Sequence, residues 1–428
     1  MSIEKKKLVM YANYYYPELA SLAQLCTDLC QGLKDEFDIT VICSIPCYTG
    51  VIEDKYLTQN YFFEEYDGVK LIRVKVPRFD KQNKMSRVKN ILAYFFRSVL
   101  ATYKAPRADC VVTESQPPIL GGLLGVAGKW MNLLRGKKSR MVYIIQDYNP
   151  EQTMVVGYSK NKMILNAMMF FDKLSCRIAN KVIVVGSDMV PTMEKRFTKK
   201  DGSISKAIPT TVFINNWMDE KEVYPLPKDH PKVVEFKKQY GLDGKFVIMY
   251  SGNIGLFYDM ENIFKVIGQF KDNDNVVFPF VGEGTLKTQL MEYAKEHGLK
   301  NVVFIPYQAK EDLIYSLNAA DVHWVVNAHG VKGVSCPSKL YGVLAVGRPA
   351  IAVLEEGTEA RSIIETLRCG YAVSPMDYDG VADLIQCFID EKDSEELDQM
   401  GIRGRKYLME NLRKEISIKK YKDELKSC

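Results

Sequence analysis

Twice along the chain, short apolar runs of strand type alternate with segments of helical periodicity, and a proline-spaced stretch separates the two series. The first opens with Leu8 to Ala12, a helical pattern from about Ala20 to Leu33, and "ITVIC" (Ile39 to Cys43), then continues through "KLIRVKV", "CVVTES", "RMVYIIQD" and "KVIVVGS". Continuous apolar runs belong to strands covered on both faces, and their alternation with helices makes the strands parallel. From about Ser203 to Val233 the pattern breaks into "KAIPTTVFINNWMDEKEVYPLPKDHP". It resumes with "FVIMYSGNIG", "VVFPFVGEG", "VVFIPY" and "VHWVVN", with helices expected near Asn262 to Phe270, Leu286 to Gly298 and Glu311 to Ala319. The expected fold class is α/β: two Rossmann-like, doubly wound parallel-sheet domains facing a cleft. The expected boundaries are 1–205 for the first domain, 206–233 for the connection and 234–409 for the second domain. A C-terminal helix at about 410–428 either closes the second domain or packs back onto the first.

A chain of 428 residues with 47% hydrophobic content fills two cores of this size. Its 58 basic and 53 acidic residues nearly cancel, which argues against a dedicated nucleic-acid binder. The ten cysteines lack the spacing of a zinc site and are expected as small buried side chains in a reducing cytoplasm. No uncharged apolar stretch reaches the roughly 18 residues of a spanning helix, so the chain is expected to be neither secreted nor transmembrane.

Ligands of open α/β sheets bind beyond the carboxyl ends of the strands, so the loops there are the candidates. "VGEG" (Val281 to Gly284) is a poor dinucleotide fingerprint, because Lys287 occupies the third glycine's place, and the loop after the first strand contains no glycine. Three glycine turns instead line the second series: "SGNIG", "GEG" and "HGVKG". Such turns let backbone approach a ligand or merely reverse the chain. "PSKLYGVLAVGRP" then sets Ser338 as a candidate cap, and Lys339 as a positive charge, at the start of an apolar helix. That is either an anion site or an ordinary capped helix with a snorkelling lysine.

In their order and spacing, "YSGNIG", "VGEG", "FIPYQAKEDL", "AADVHWVV", "PSKLYGVLAVGRPAIA" and "CGYAV" resemble the donor domain of family 4 glycosyltransferases of the GT-B fold. "YYYPELASLAQ", "TESQPP", "QDYNPE" and "INNWMD" in the first half are similar to the branch that assembles bacterial O-antigen, capsule and other lipid-linked glycans. The resemblance implies retaining transfer of a sugar from a nucleotide sugar to an acceptor hydroxyl, with no cofactor and no metal. An N-acetylated hexosamine is the donor sugar at family level. By position, Lys339 and the backbone at Ser338 meet the diphosphate beside Gly252, Asn253 and Gly255. The loop Asn327 to Cys336 lines the sugar, and Gly282, Glu283 and Tyr307 frame the nucleoside. Asp147, ending a strand, orients or deprotonates the acceptor; Glu114 is a second choice, and His329 donates to sugar or phosphate or is structural.

The chain departs from the family pattern of two glutamates flanking the donor: their places fall at Val334 and Gly342. The basic pair expected after "GNIG" is also missing, so Lys332 or Arg361 is expected to share the diphosphate charge with Lys339. Glu359 is expected either to replace the ribose contact or to favour a helix N-terminus. "DND" (Asp272 to Asp274) and "DYD" (Asp377 to Asp379) imitate a metal-binding pair but read as turns. In the segment 77–107, Lys81, Lys84, Arg87, Lys89, Arg97, Lys104 and Arg107 are interleaved with Ile91, Leu92, Phe95, Phe96, Val99 and Leu100. This is either a core-facing helix with a solvated basic face or a helix lying on anionic lipid, and a lipid-linked acceptor favours the second. The expected setting is thus cytoplasmic and peripheral on the inner membrane face. A GT-B sugar-nucleotide epimerase and a catalytically silent sugar-nucleotide-binding protein remain as alternatives.

Overall fold

The computed structural model describes residues 4–18, 20–48, 50–78 and 83–427, with Lys84 placed by its backbone alone. The first sheet contains β1 (Lys6–Tyr11), β2 (Phe37–Ser44), β3 (Tyr61–Tyr66), β4 (Val69–Val74), β5 (Cys110–Glu114), β6 (Arg140–Ile145), β7 (Lys181–Val184) and β8 (Thr211–Phe213). Their order is β3-β4-β2-β1-β5-β6-β7-β8, and β3 alone runs antiparallel to its neighbour. The second sheet contains β9 (Phe246–Ser251), β10 (Val276–Val281), β11 (Val302–Ile305), β12 (Val322–Val326), β13 (Ala350–Val353) and β14 (Gly370–Val373), all parallel, in the order β11-β10-β9-β12-β13-β14. The order reverses between β1 and β5 and between β9 and β12. At these switch points loops diverge above the sheet and leave room for a ligand.

Alternation within β1 shows why the strands read as continuous apolar runs: Leu8 and Met10 enter one core layer while Val9 and Tyr11 enter the opposite one. Helices Lys84–Ala101, Leu120–Leu134 and Lys162–Ile178 pack side by side on one face. Ser21–Leu33 and the C-terminal helix Lys414–Lys426 cover the other. Ile418, Tyr421 and Leu425 are buried in the first domain's core, so this last helix does cross back. Gly32 makes the crossing possible, because a Cβ there would come within 2.5 Å of Ile418 Cγ2.

Two elements differ from the sequence expectation. Residues 211–213, assigned to the connection, form β8 and pair with β7, so the first sheet extends into the 206–233 stretch. β3 carries Glu64 and Glu65 and alternates between half-buried and exposed residues, as an edge strand can with one face in water. "DND" falls in a turn before β10, but "DYD" does not: Asp377 caps the helix Tyr378–Asp390, accepting a hydrogen bond from the Gly380 amide (2.9 Å), and Tyr378 and Asp379 form its first turn. Among the described residues no His, Cys, Asp or Glu group could hold a metal ion, and no helix is long and apolar enough to cross a membrane.

Candidate active site

The carboxyl ends of β9 and β10 are fused loop to loop. The Gly252 amide donates to Val281 O (2.9 Å), the Ile254 amide to Glu283 O (2.9 Å) and the Leu286 amide to Ile254 O (3.1 Å). Gly252 and Gly282 have φ of +145° and +143°, the left-handed side that L side chains rarely adopt. A Cβ on Gly282 would overlap the Gly252 carbonyl oxygen, and one on Gly284 would overlap that of Ile254. The close approach these glycines permit is therefore between two loops of the protein, a correction to the expectation that they make room for a ligand. Lys287, in the absent third glycine's place, donates to Gly282 O (3.0 Å) and pairs with Glu283 (2.7 Å).

Lys339 lies over this platform. A Cβ on Gly252 would meet Lys339 Cε at 2.6 Å, and the ammonium stands 3.7 Å from the centroid of the Tyr258 ring and 5.2 Å from that of Tyr250. Aromatic faces attract a cation without neutralising it. No carboxylate pairs with Lys339 among the described residues, so its full charge is available at the strand ends. Tyr250 is fixed by donating its hydroxyl to Asn253 O (2.6 Å), while the Asn253 side chain lies beside Gly255. The two tyrosines gave no sequence signal beyond aromatic content.

Ser338 does not cap the helix, contrary to expectation. Its backbone is already helical (φ −58°, ψ −15°), so its hydroxyl is not directed at the following amides, and Leu340 turns back to Pro337 O instead.

The loop Asn327 to Cys336 divides its contacts between the two domains. Glu355 Oε2 accepts from the amides of Gly330 and Lys332 (2.9 Å each), and Glu355 Oε1 lies 3.6 Å from Nδ1 of exposed His329. Farther along, the Gly333 amide donates to Asp188 Oδ2 (2.8 Å) and the Tyr148 amide to Val334 O (2.9 Å), and Val334 joins the first domain's core. Asp147 forms an antiparallel bridge with Ser335, four residues before Lys339. Asp147 therefore stands at the interdomain seam, against the segment that leads into the helix carrying Lys339. Burial raises the Asp147 carboxyl, against hydrogen bonds from Ser335 and Gln152. The Asp188 and Val334 contacts assign part of the expected sugar-lining loop to domain docking.

Four other expected site residues are engaged elsewhere. Glu359 starts its helix as read, but its Oε2 accepts the first domain's Ser187 amide (2.8 Å), and burial pushes its carboxyl up to about 7. Arg361 is buried, bonding Leu354 O (2.9 Å), Ser374 Oγ (3.0 Å) and Glu365 (2.7 Å); it ties strand ends together and offers no free charge to a diphosphate. Lys332 donates to Glu356 O (2.5 Å). Glu114 is 2% exposed and accepts from Cys26 Sγ at 3.7 Å. Burial raises it to about 8, and its Oε2 has no partner among the described residues. It is therefore a core carboxyl, set against Cys26 of Ser21–Leu33 and close to Tyr421 of the returning C-terminal helix. Tyr307 is about half exposed on the second domain, and partial burial, with a smaller contribution from the first domain's Tyr48, raises its hydroxyl. Gly342, the site of a missing glutamate, faces Met218 and Leu317: a Cβ there would lie 3.3 and 3.6 Å from them.

Two Rossmann-like parallel sheets that meet along a shared seam are the architecture of the GT-B fold. Residues 233–407 match the family model "Glycosyl transferases group 1". Over 359 residues the chain is 29% identical to "Probable glycosyltransferase WbjE" of Pseudomonas aeruginosa, covering 81% of this chain and 82% of that protein. It is also 29% identical over 232 residues to the colanic acid biosynthesis glycosyl transferase designated WcaI of Escherichia coli (strain K12), covering 53% and 54% of the two chains. The structure of Anabaena Alr3699/HepE in complex with UDP-glucose superposes with a TM-score of 0.67 at 13% identity, over 99% of this chain and 100% of that one. The chain is accordingly a nucleotide-sugar-dependent glycosyltransferase similar to enzymes of bacterial polysaccharide assembly.

Proposed function

We propose that the protein is a retaining transferase that moves a sugar, an N-acetylated hexosamine in our reading, from a nucleoside-diphosphate donor to a hydroxyl of a lipid-linked saccharide. The setting is the inner face of a bacterial membrane, in the assembly of surface polysaccharide such as O-antigen or capsule. The observation that carries this reading is the Lys339 ammonium, half-buried on two tyrosine faces and unpaired with any described carboxylate. The likeness to a UDP-glucose complex and to polysaccharide enzymes supports it.

Cleavage of the donor's glycosidic bond leaves negative charge on the departing diphosphate. A preorganised cation stabilises that charge more in the transition state than in the ground state, which is what accelerates the step. Lys339 supplies the charge without calling for a metal ion. The leaving phosphate oxygen takes the acceptor proton as the hydroxyl attacks the same face of the sugar. Asp147, at the seam, orients that hydroxyl for the attack.

A thermal-shift panel of UDP-, GDP- and dTDP-sugars identifies the donor, since a ligand that binds only the folded state raises its stability. With that donor, Lys339→Ala is expected to lower transfer about 100-fold or more at unchanged melting temperature. Near-normal turnover would remove Lys339 from the diphosphate. Free sugar or a C2-epimerised donor as the sole product would overturn the transferase reading.

A further inference from the structure

The helix Lys84–Ala101 buries one side and carries apolar residues on the opposite one as well. Asn90, Tyr94, Ser98 and Ala101 face the core, and Ile91, Phe95 and Val99, expected on the lipid side, are half-buried at its edge. The outer side carries Met85, Val88, Leu92, Phe96 and Leu100, all exposed and spaced three or four residues apart. Lys81 of the basic segment lies outside the described residues. The stripe continues onto the neighbouring helices. Trp130 (60% exposed), Leu133 and Leu134 (79% exposed) end Leu120–Leu134, and Met163 and Phe170 project from Lys162–Ile178. Water-facing apolar residues scattered singly are ordinary, but one outer layer of three adjacent helices bearing them is an interaction surface.

Charge selects the occupant. Neither Lys84–Ala101 nor Leu120–Leu134 contains an acidic residue, and the one in Lys162–Ile178, Asp172, is buried against Arg196. Arg87 and Lys89 lie on the first of these helices, Lys104 follows it and Lys162 opens the third, a composition that complements an anionic headgroup layer over hydrocarbon. Resting on the proposed lipid-linked acceptor, we infer that all three helices form a bilayer-insertion face, with Trp130 and Leu134 entering the acyl boundary. The basic helix alone would only adsorb at the surface.

Trp130 reports this directly. Of the three tryptophans, Trp217 and Trp324 are buried, so a change in emission on binding comes from Trp130. The full chain is mixed with phosphatidylglycerol vesicles, and emission and co-sedimentation are followed from low salt to about 0.5 M NaCl, where exposed charges are screened. The expected result is a blue shift that persists at high salt, with phosphatidylcholine vesicles binding more weakly. L134E combined with F170E is expected to lower vesicle partition about ten-fold or more at unchanged melting temperature and unchanged donor thermal shift. Vesicle binding without a Trp130 shift, released by salt, would reduce the face to adsorption and overturn insertion. A lipid-free dimer that shifts Trp130 and is dissolved by the same variants would assign the face to a second copy. Lys339→Ala retains vesicle binding whether or not the catalytic reading holds, so the two can fail separately.

Discussion

Glu114 illustrates how far a residue's chemistry depends on its enclosure. A carboxylate ending a strand of an α/β sheet is a natural cleft candidate, yet this one is covered and its Oε2 lacks a partner among the described residues. Its carboxyl rises from an ordinary 4.5 to about 8, mainly by desolvation. A raised folded value means that the native state holds the proton more tightly than the unfolded chain does. The stabilisation is therefore present below pH 4.5 and is lost as pH climbs toward 8. Glu359, raised to about 7, acts in the same direction over a narrower window. Glu114→Gln is expected to flatten the fall in stability and to leave the variant more stable than the parent by a few kcal/mol above pH 8. Melting temperatures of both proteins from about pH 5 to 9 check this, and parallel curves would mean that Glu114 keeps water or an unseen donor.

At the scale of elements, the two glycine loops behave as one unit. Gly252 carries two constraints, a φ of +145° and the Lys339 side chain directly over it. Gly252→Ala is expected to displace the Lys339 side chain and weaken donor binding about ten-fold or more, at a stability cost of roughly 1–3 kcal/mol for the strained backbone. Gly282→Ala meets a carbonyl oxygen that cannot swing aside, so it is expected to cost more stability than Gly252→Ala. Denaturant titrations of the pair rank the two costs, and the reverse order would show that the loops are not locked together. The glycines were legible in the sequence as turns, but whether they opened space for a ligand or for another loop depended on the distance between β9 and β10.

Over the whole molecule, the domains are tied twice: through the docking loop at the seam and through the returning C-terminal helix. Lys414 pairs with Asp28 of the first domain (2.9 Å) and Asp219 of the connection (2.8 Å), while Trp217 donates to Asp28 (3.1 Å) and meets Tyr421 edge to face. These ion pairs are only partly buried and keep contact with water, so the apolar side chains of this helix carry most of the stability. Tyr421→Ala removes a fully buried ring and is expected to destabilise the first domain by about 3–5 kcal/mol. Chemical denaturation followed by Trp217 fluorescence measures it; a loss below about 1 kcal/mol would make the helix a passive tail.

The sequence by itself determined the two-domain α/β architecture, because parallel strands covered on both faces must be apolar throughout, and that pattern survives without any knowledge of contacts. It also singled out Lys339, since a lysine opening an apolar helix beside glycine turns serves little structural need. Tertiary structure alone decided what each polar side chain faces. Arg361 and Glu359 stand in suitable chain positions, but Leu354 O and Ser374 engage the first and the Ser187 amide the second. β3 and β8 escaped notice because edge strands need neither a long run nor an apolar one. Burial, pairing and approach arise between residues far apart in the chain, and local periodicity carries no record of which distant groups will meet.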